Sequence, residues 1–80
     1  MRIIVDSFLR QPDIISLLES QKAPVYKYEG HPKNFRGQCI FEVNEVPEGV
    51  DVIGYTKGLI KSQPYGKAIV FRVIEEGKSW

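Results

Sequence analysis

Isoleucine and valine outnumber leucine by 17 to 4 in this chain of 80 residues. Side chains branched at Cβ lose rotamer freedom in a helix and pack well on a pleated surface, so a core built from them is rich in sheet. Leu, Ile, Val and Phe together number 25, above the level of roughly a fifth of residues below which a chain stays disordered. A compact core is expected. So short a chain supplies one small α+β domain, residues 1–80, and buries only about 60% of its extended surface on folding.

The punctuation of the chain places the elements. Residues 2–6 carry the β-branched run Ile3, Ile4, Val5 and read as an opening strand. Asp6 and Ser7 supply a turn, and Pro12 then fits the first turn of a helix, where its missing N–H costs nothing. Ile14, Ile15, Leu17 and Leu18 form one apolar stripe, and Pro24 stops the helix, predicted over residues 12–22. Residues 25–28 and 38–43 read as two strands of a hairpin, with Cys39, Phe41 and Val43 facing one way. Between them, residues 29–37 form a loop containing Gly30, Pro32, Asn34 and Gly37.

Residues 50–62 support two readings. Val52, Ile53, Thr56, Leu59 and Ile60 fit a helical stripe, with acids before it and lysines at its end, as the helix dipole prefers. Gly54 and Gly58 each cost such a helix about 1 kcal/mol relative to alanine; they also resemble a small-residue face that lets a helix sit close to a sheet. An extended reading avoids the cost but breaks the alternation. After a turn at residues 63–66, the nearly continuous apolar run 67–74 predicts a central strand. Residues 75–80 form a polar tail, expected to fray, that ends in Trp80.

The resulting order, with residues 50–62 helical, is that of ferredoxin-like βαββαβ folds: a four-stranded antiparallel sheet with two helices on one face. With residues 50–62 extended, a small curled β-sheet or barrel with one helix replaces it. No stretch is long enough for a membrane span or for export, since Asp6 and Arg10 interrupt the first apolar run. A cytoplasmic protein is expected.

Charge is sorted along the chain, although the net charge is only +1. Residues 38–52 carry only acids, Glu42, Glu45, Glu48 and Asp51; residues 53–74 carry only cations, Lys57, Lys61, Lys67 and Arg72. An earlier stretch interleaves Tyr26, Tyr28 and Phe35 with Lys27, His31, Lys33 and Arg36. Rings and cations so mixed suit a protein hot spot, and equally a nucleic acid, whose bases stack and whose phosphates pair. They also keep a sheet edge soluble. Lys57 and Lys61 share one face of the second helix and, with Tyr65 in the following turn, make a second candidate patch. The same spacing suits a solvated helix face.

Residues 36–43, Arg-Gly-Gln-Cys-Ile-Phe-Glu-Val, resemble the RNP1 pattern of the RNA recognition motif in the leading Arg-Gly and the apolar rhythm. Gln38 and Ile40 stand where that motif places its stacking aromatics, and Ile4 where the first strand places another. The acylphosphatases share the expected topology, but their glycine-rich, arginine-bearing loop after the first strand is absent. Catalytic chemistry has little to build on. His31 is the lone histidine and Cys39 the lone cysteine, the latter inside an apolar strand, and no phosphate loop or hydrolase motif occurs.

The sequence therefore points to a non-catalytic binding or regulatory module without metal or cofactor. Its candidate contact residues are Lys27, Tyr28, His31, Lys33, Phe35, Arg36, Lys57, Lys61 and Tyr65. A protein partner is expected. Nucleic-acid binding through the same residues is the alternative, and self-association through opposed charges is the third reading.

Overall fold

A computed structural model of the chain describes residues 1–32 and 36–77, so Lys33, Phe35 and Trp80 lie outside the described residues. The elements are β1 (Arg2–Asp6), α1 (Gln11–Glu19), β2 (Val25–Gly30), β3 (Gln38–Asn44), α2 (Val52–Lys61), a 3-10 turn (Pro64–Lys67) and β4 (Arg72–Glu75). They form a small α+β domain. Its four strands make one open sheet in the order β2-β3-β1-β4, with every neighbouring pair antiparallel.

Register puts the buried apolar positions of all four strands on one face. Ile3 lies opposite Phe41, Val5 opposite both Cys39 and Val73, and Tyr26 opposite Val43. Ile14 and Leu18 of α1, with Val52 and Ile60 of α2, complete the same buried cluster. Burying a side chain of this size stabilises by roughly 1.5–3 kcal/mol, which forces the two helical stripes onto the sheet. The Tyr26 ring meets Phe41 edge-on at 6.4 Å. Its hydroxyl lies 2.8 Å from Oγ1 of buried Thr56, which itself donates to the Val52 carbonyl at 2.7 Å. Thr56 has one proton to give, so Tyr26 is the donor of the pair.

Residues 50–62 are not extended: α2 spans Val52–Lys61, and the one-helix curled sheet or barrel is excluded. Gly54 and Gly58, however, do not form a packing face. Both are exposed, and a Cβ at Gly58 would meet nothing within 4 Å. The helix α1 ends at Glu19, short of residue 22, the end expected with Pro24 as its stop. Ser20 Oγ and Gln21 Nε2 both donate to the Leu17 carbonyl, at 2.7 and 3.0 Å, and close the last turn.

The run 67–74 departs furthest from expectation. It is neither one strand nor central: Pro64–Lys67 is a 3-10 turn, and β4 is a four-residue edge strand paired only with β1. Gly66 explains the break, because its backbone lies against the end of α2. A Cβ there would stand 1.9 Å from the Ile60 carbonyl oxygen. The turn so anchored delays the strand, and Val70 is left 92% exposed. At the far end of β4 the chain is still tied down. Glu75 belongs to the strand and the Glu76 amide donates to the Arg2 carbonyl at 2.9 Å; the remainder of the tail, residues 78–80, lies outside the described residues.

Among the described residues, no helix covers the opposite sheet face. Ile4 lies opposite Ile40 and Ile74, making one half-buried apolar row. Ion pairs flank the row, Arg72 to Asp6 at 3.1 Å on one side and Arg2 to Glu29 at 3.7 Å on the other. Among the described residues, no helix is long and apolar enough to cross a membrane.

Candidate functional site

Antiparallel alternation decides which loops meet. The end of β1, the end of β2 and the starts of β3 and β4 share one edge of the molecule, since Asp6 is paired with both Gln38 and Arg72. The loop before α1 and the 3-10 turn after α2 are therefore neighbours. Between them lies an open groove of about 660 Å³, lined by Leu9, Arg10, Asp13, Pro64, Tyr65, Ala68 and Ile69.

The loop from Ser7 to Arg10 is held firmly. The Ser7 amide donates to the Gly37 carbonyl at 2.7 Å, and the buried Ser7 Oγ donates to the Leu9 carbonyl at 2.9 Å. Gln11 Nε2 reaches back to the Ser7 carbonyl at 2.7 Å and across to the Arg36 carbonyl at 2.6 Å. These bonds fix backbone that displays Phe8 and Leu9 to solvent, 81% and 60% exposed. The Phe8 ring rests over Gly37, where an added Cβ would come within 2.8 Å of it. Arg10 then takes a left-handed conformation at φ 60°, a region costly for a residue with a Cβ, and its carbonyl receives the first helical amide, from Ile14.

The groove is lined by both apolar and charged side chains. Arg10 pairs with Asp13 at 3.4 Å through half-exposed side chains. The Tyr65 hydroxyl feels both groups. Partial burial, chiefly, and the Asp13 carboxylate push its ionisation up, while Arg10 acts in the opposite sense. The two carboxylates at this end, Asp6 and Asp13, each engage an arginine. Among the described residues, by contrast, no carboxylate pairs with Arg36, Lys61 or Lys67. At the other end of the sheet lies the loop carrying Glu45, Glu48 and Asp51, with Glu45 left-handed at φ 53°. Folding places Arg36, Lys61 and Lys67 at one end of the sheet and the loop with Glu45, Glu48 and Asp51 at the other.

The residues singled out in the sequence scatter under this geometry. Lys27 lies on the uncovered sheet face, opposite Glu42. Tyr28, its neighbour, points to the covered face and leans on Phe41 at 5.6 Å, and its amide donates to Glu19 Oε2 at 3.1 Å, closing part of the β2 edge. His31 is exposed, its ring Nδ1 3.1 Å from the Pro32 carbonyl. Lys33 and Phe35 lie outside the described residues. Arg36 sits against the β1–α1 loop through its carbonyl, and Tyr65 lines the groove. Lys57 and Lys61 are exposed along α2, which runs toward the groove end. The structure therefore puts Arg36, Lys61 and Tyr65 at the same end of the sheet, and Lys27 and Tyr28 on opposite faces of β2.

Phe8, Leu9, Arg10 and Ile69 were absent from the sequence-based set. One signal could have found two of them. Phe8 and Leu9 are an apolar pair between a strand and a helix, belonging to the period of neither. As for chemistry, burial raises the Cys39 thiol above its ordinary value, so it stays protonated and weakly nucleophilic. Among the described residues, no three histidine, cysteine, aspartate or glutamate side chains are grouped to hold a metal ion. No match to the chain was found among protein-family models, curated proteins or solved structures.

Proposed function

We propose that the protein is a small non-catalytic binding module of the cytoplasm, built on a ferredoxin-like βαββαβ domain, that contacts a protein partner at the basic end of its sheet. The ferredoxin-like reading is supported by the interleaved strand order. Each β-α-β unit has a third strand between its two strands, β3 in one and β1 in the other. One observation carries the binding reading. Phe8 and Leu9 are held out to solvent by a loop fixed by three hydrogen bonds, two at Ser7 and one to the Ser7 carbonyl.

An unused hydrophobe at a loop tip is common, but here the tip is constrained and borders a groove. Val70, 92% exposed, follows groove-lining Ile69 in the chain. Each of these three side chains yields roughly 1.5–3 kcal/mol when fully buried, enough together to offset part of the cost of association. The buried, protonated thiol supports a role without covalent catalysis.

A photoreactive side chain placed at position 8, 70, 27 or 57 tests the assignment in cells that express the chain. Protein adducts should form from positions 8 and 70, and not from position 27 on the uncovered sheet face. Adducts with nucleic acid, or equal yields from all four positions, would overturn the reading.

A further inference from the structure

The groove also carries information on what kind of segment it would hold. Five of its seven lining residues, Leu9, Pro64, Tyr65, Ala68 and Ile69, present mainly carbon, and Tyr65 carries the only aromatic ring among the seven. A lining of this kind seats an apolar side chain, whereas single-stranded nucleic acid needs successive aromatic platforms. Its volume of about 660 Å³ is of the size that encloses a short segment rather than a whole domain face.

Charge sets the sign of that segment. The carboxylates at this end of the sheet are already matched, Asp6 to Arg72 and Asp13 to Arg10. Arg36, Lys61 and Lys67 have no such carboxylate among the described residues. The Arg10–Asp13 pair is solvent-exposed on both sides, 61% and 51%, and engages a single guanidinium nitrogen, so the other N–H groups of Arg10 can meet an incoming acid while Asp13 stays matched. We propose that the groove receives an acidic polypeptide segment of another protein, whose apolar side chain packs against Leu9 and Ile69 while its flanking carboxylates meet Arg10, Lys67 and Arg36. The inference rests on the reading of this end as the protein-binding face.

Selection of a random 12-residue peptide display library on the intact protein tests it. Enriched sequences should carry aspartate or glutamate beside Leu, Phe or Trp, and a synthetic consensus peptide should bind more weakly as salt rises. Leu9→Asp, at a site already exposed, should weaken that peptide about tenfold or more. Lys67→Glu should weaken it about fivefold, and Lys27→Glu on the uncovered face should leave it unchanged.

Enriched peptides that are neutral or basic, or that bind Leu9→Asp as well as the parent, would overturn the acidic-segment inference and leave the protein-binding reading standing. Binding of anionic phospholipid vesicles or of an oligonucleotide, with no peptide enriched, would overturn both. Self-association in sedimentation that is abolished by Glu45→Lys with Glu48→Lys would overturn the inference in favour of a second copy of the chain.

Discussion

Two glycines in the second half of the chain should respond to the same substitution with opposite signs. Gly66→Ala places a methyl group 1.9 Å from the Ile60 carbonyl oxygen and 2.9 Å from Lys61 Cα, both backbone atoms. Ordinary contact begins near 3.4 Å, so the 3-10 turn must lift from the end of α2. Overpacking of this kind costs about 1–3 kcal/mol. Lifting the turn also strains the bonds from the Gly66 amide to Gln63 and from the Ala68 amide to Tyr65, 3.0 and 2.9 Å long, and loss of one of them adds about 0.5–1.5 kcal/mol. A total of roughly 2–4 kcal/mol is expected.

Gly58 lies in the interior of α2 with open space where its Cβ would stand. There alanine should stabilise by about 1 kcal/mol through helix propensity alone. Urea unfolding followed by circular dichroism separates the two. With a slope near 1 kcal/mol/M for a small domain, Gly66→Ala should lower the midpoint by about 2–4 M and Gly58→Ala should raise it by about 1 M. A Gly66→Ala midpoint within about 0.5 M of the parent would refute the close approach of the turn to α2, and with it the wall of the groove that Tyr65 provides.

Other perturbations address the core, its ionisation and the strained loop. Thr56→Val leaves the buried Tyr26 hydroxyl without its acceptor and should cost about 1–3 kcal/mol, whereas Tyr26→Phe leaves Thr56 bonded to Val52 and should cost only about 1 kcal/mol. A double mutant whose loss equals the sum of the two would deny the bond. Stability should decline at alkaline pH, because burial raises Cys39 above 9.0 and Tyr26 above 10.0. The unfolded chain releases these protons while the native one keeps them, so their contribution is whole below the unfolded values and lost as pH climbs through the native ones. Chemical denaturation between pH 8 and 11 should show that decline reduced in Tyr26→Phe and in Cys39→Ala; an unchanged slope in both would contradict the burial. Arg10→Gly should keep or gain up to about 1 kcal/mol, as relief of the left-handed strain outweighs the greater freedom of an unfolded glycine. It should nonetheless weaken binding of the acidic consensus peptide, and a loss of more than about 1 kcal/mol of stability in thermal melts would show that the arginine supports the loop rather than straining it.

The candidate site was only partly legible along the chain. Arg36, Lys61 and Tyr65 stood out by charge and aromaticity, and all three lie at the groove end. Lys27 and Tyr28 stood out for the same reason, yet adjacent residues of a strand face opposite ways, and only one surface can hold both a cation and its neighbour's ring if the backbone leaves the sheet. Leu9 is marked only by falling, with Phe8, outside the period of either neighbouring element, and Ile69 gives no signal, because an aliphatic side chain reads the same whether a core or a partner covers it.

Periodicity settled what is local. The alternation of Cys39, Phe41 and Val43, the stripe of Val52, Thr56 and Ile60, and the proline at 12 belong to single elements, and each holds in the fold; Pro24, by contrast, does not end α1, which stops at Glu19. Tertiary structure decided what depends on distant contacts. The apolar run after Gly66 looked like a central strand, but the fit of that glycine against Ile60 broke it into a turn and a short edge strand. Strand order then gathered the loops after β1 and α2 at one end and the acidic loop at the other. A residue's own neighbours fix its backbone period, whereas the partner it faces is chosen by packing across the sheet, which no stretch of sequence contains.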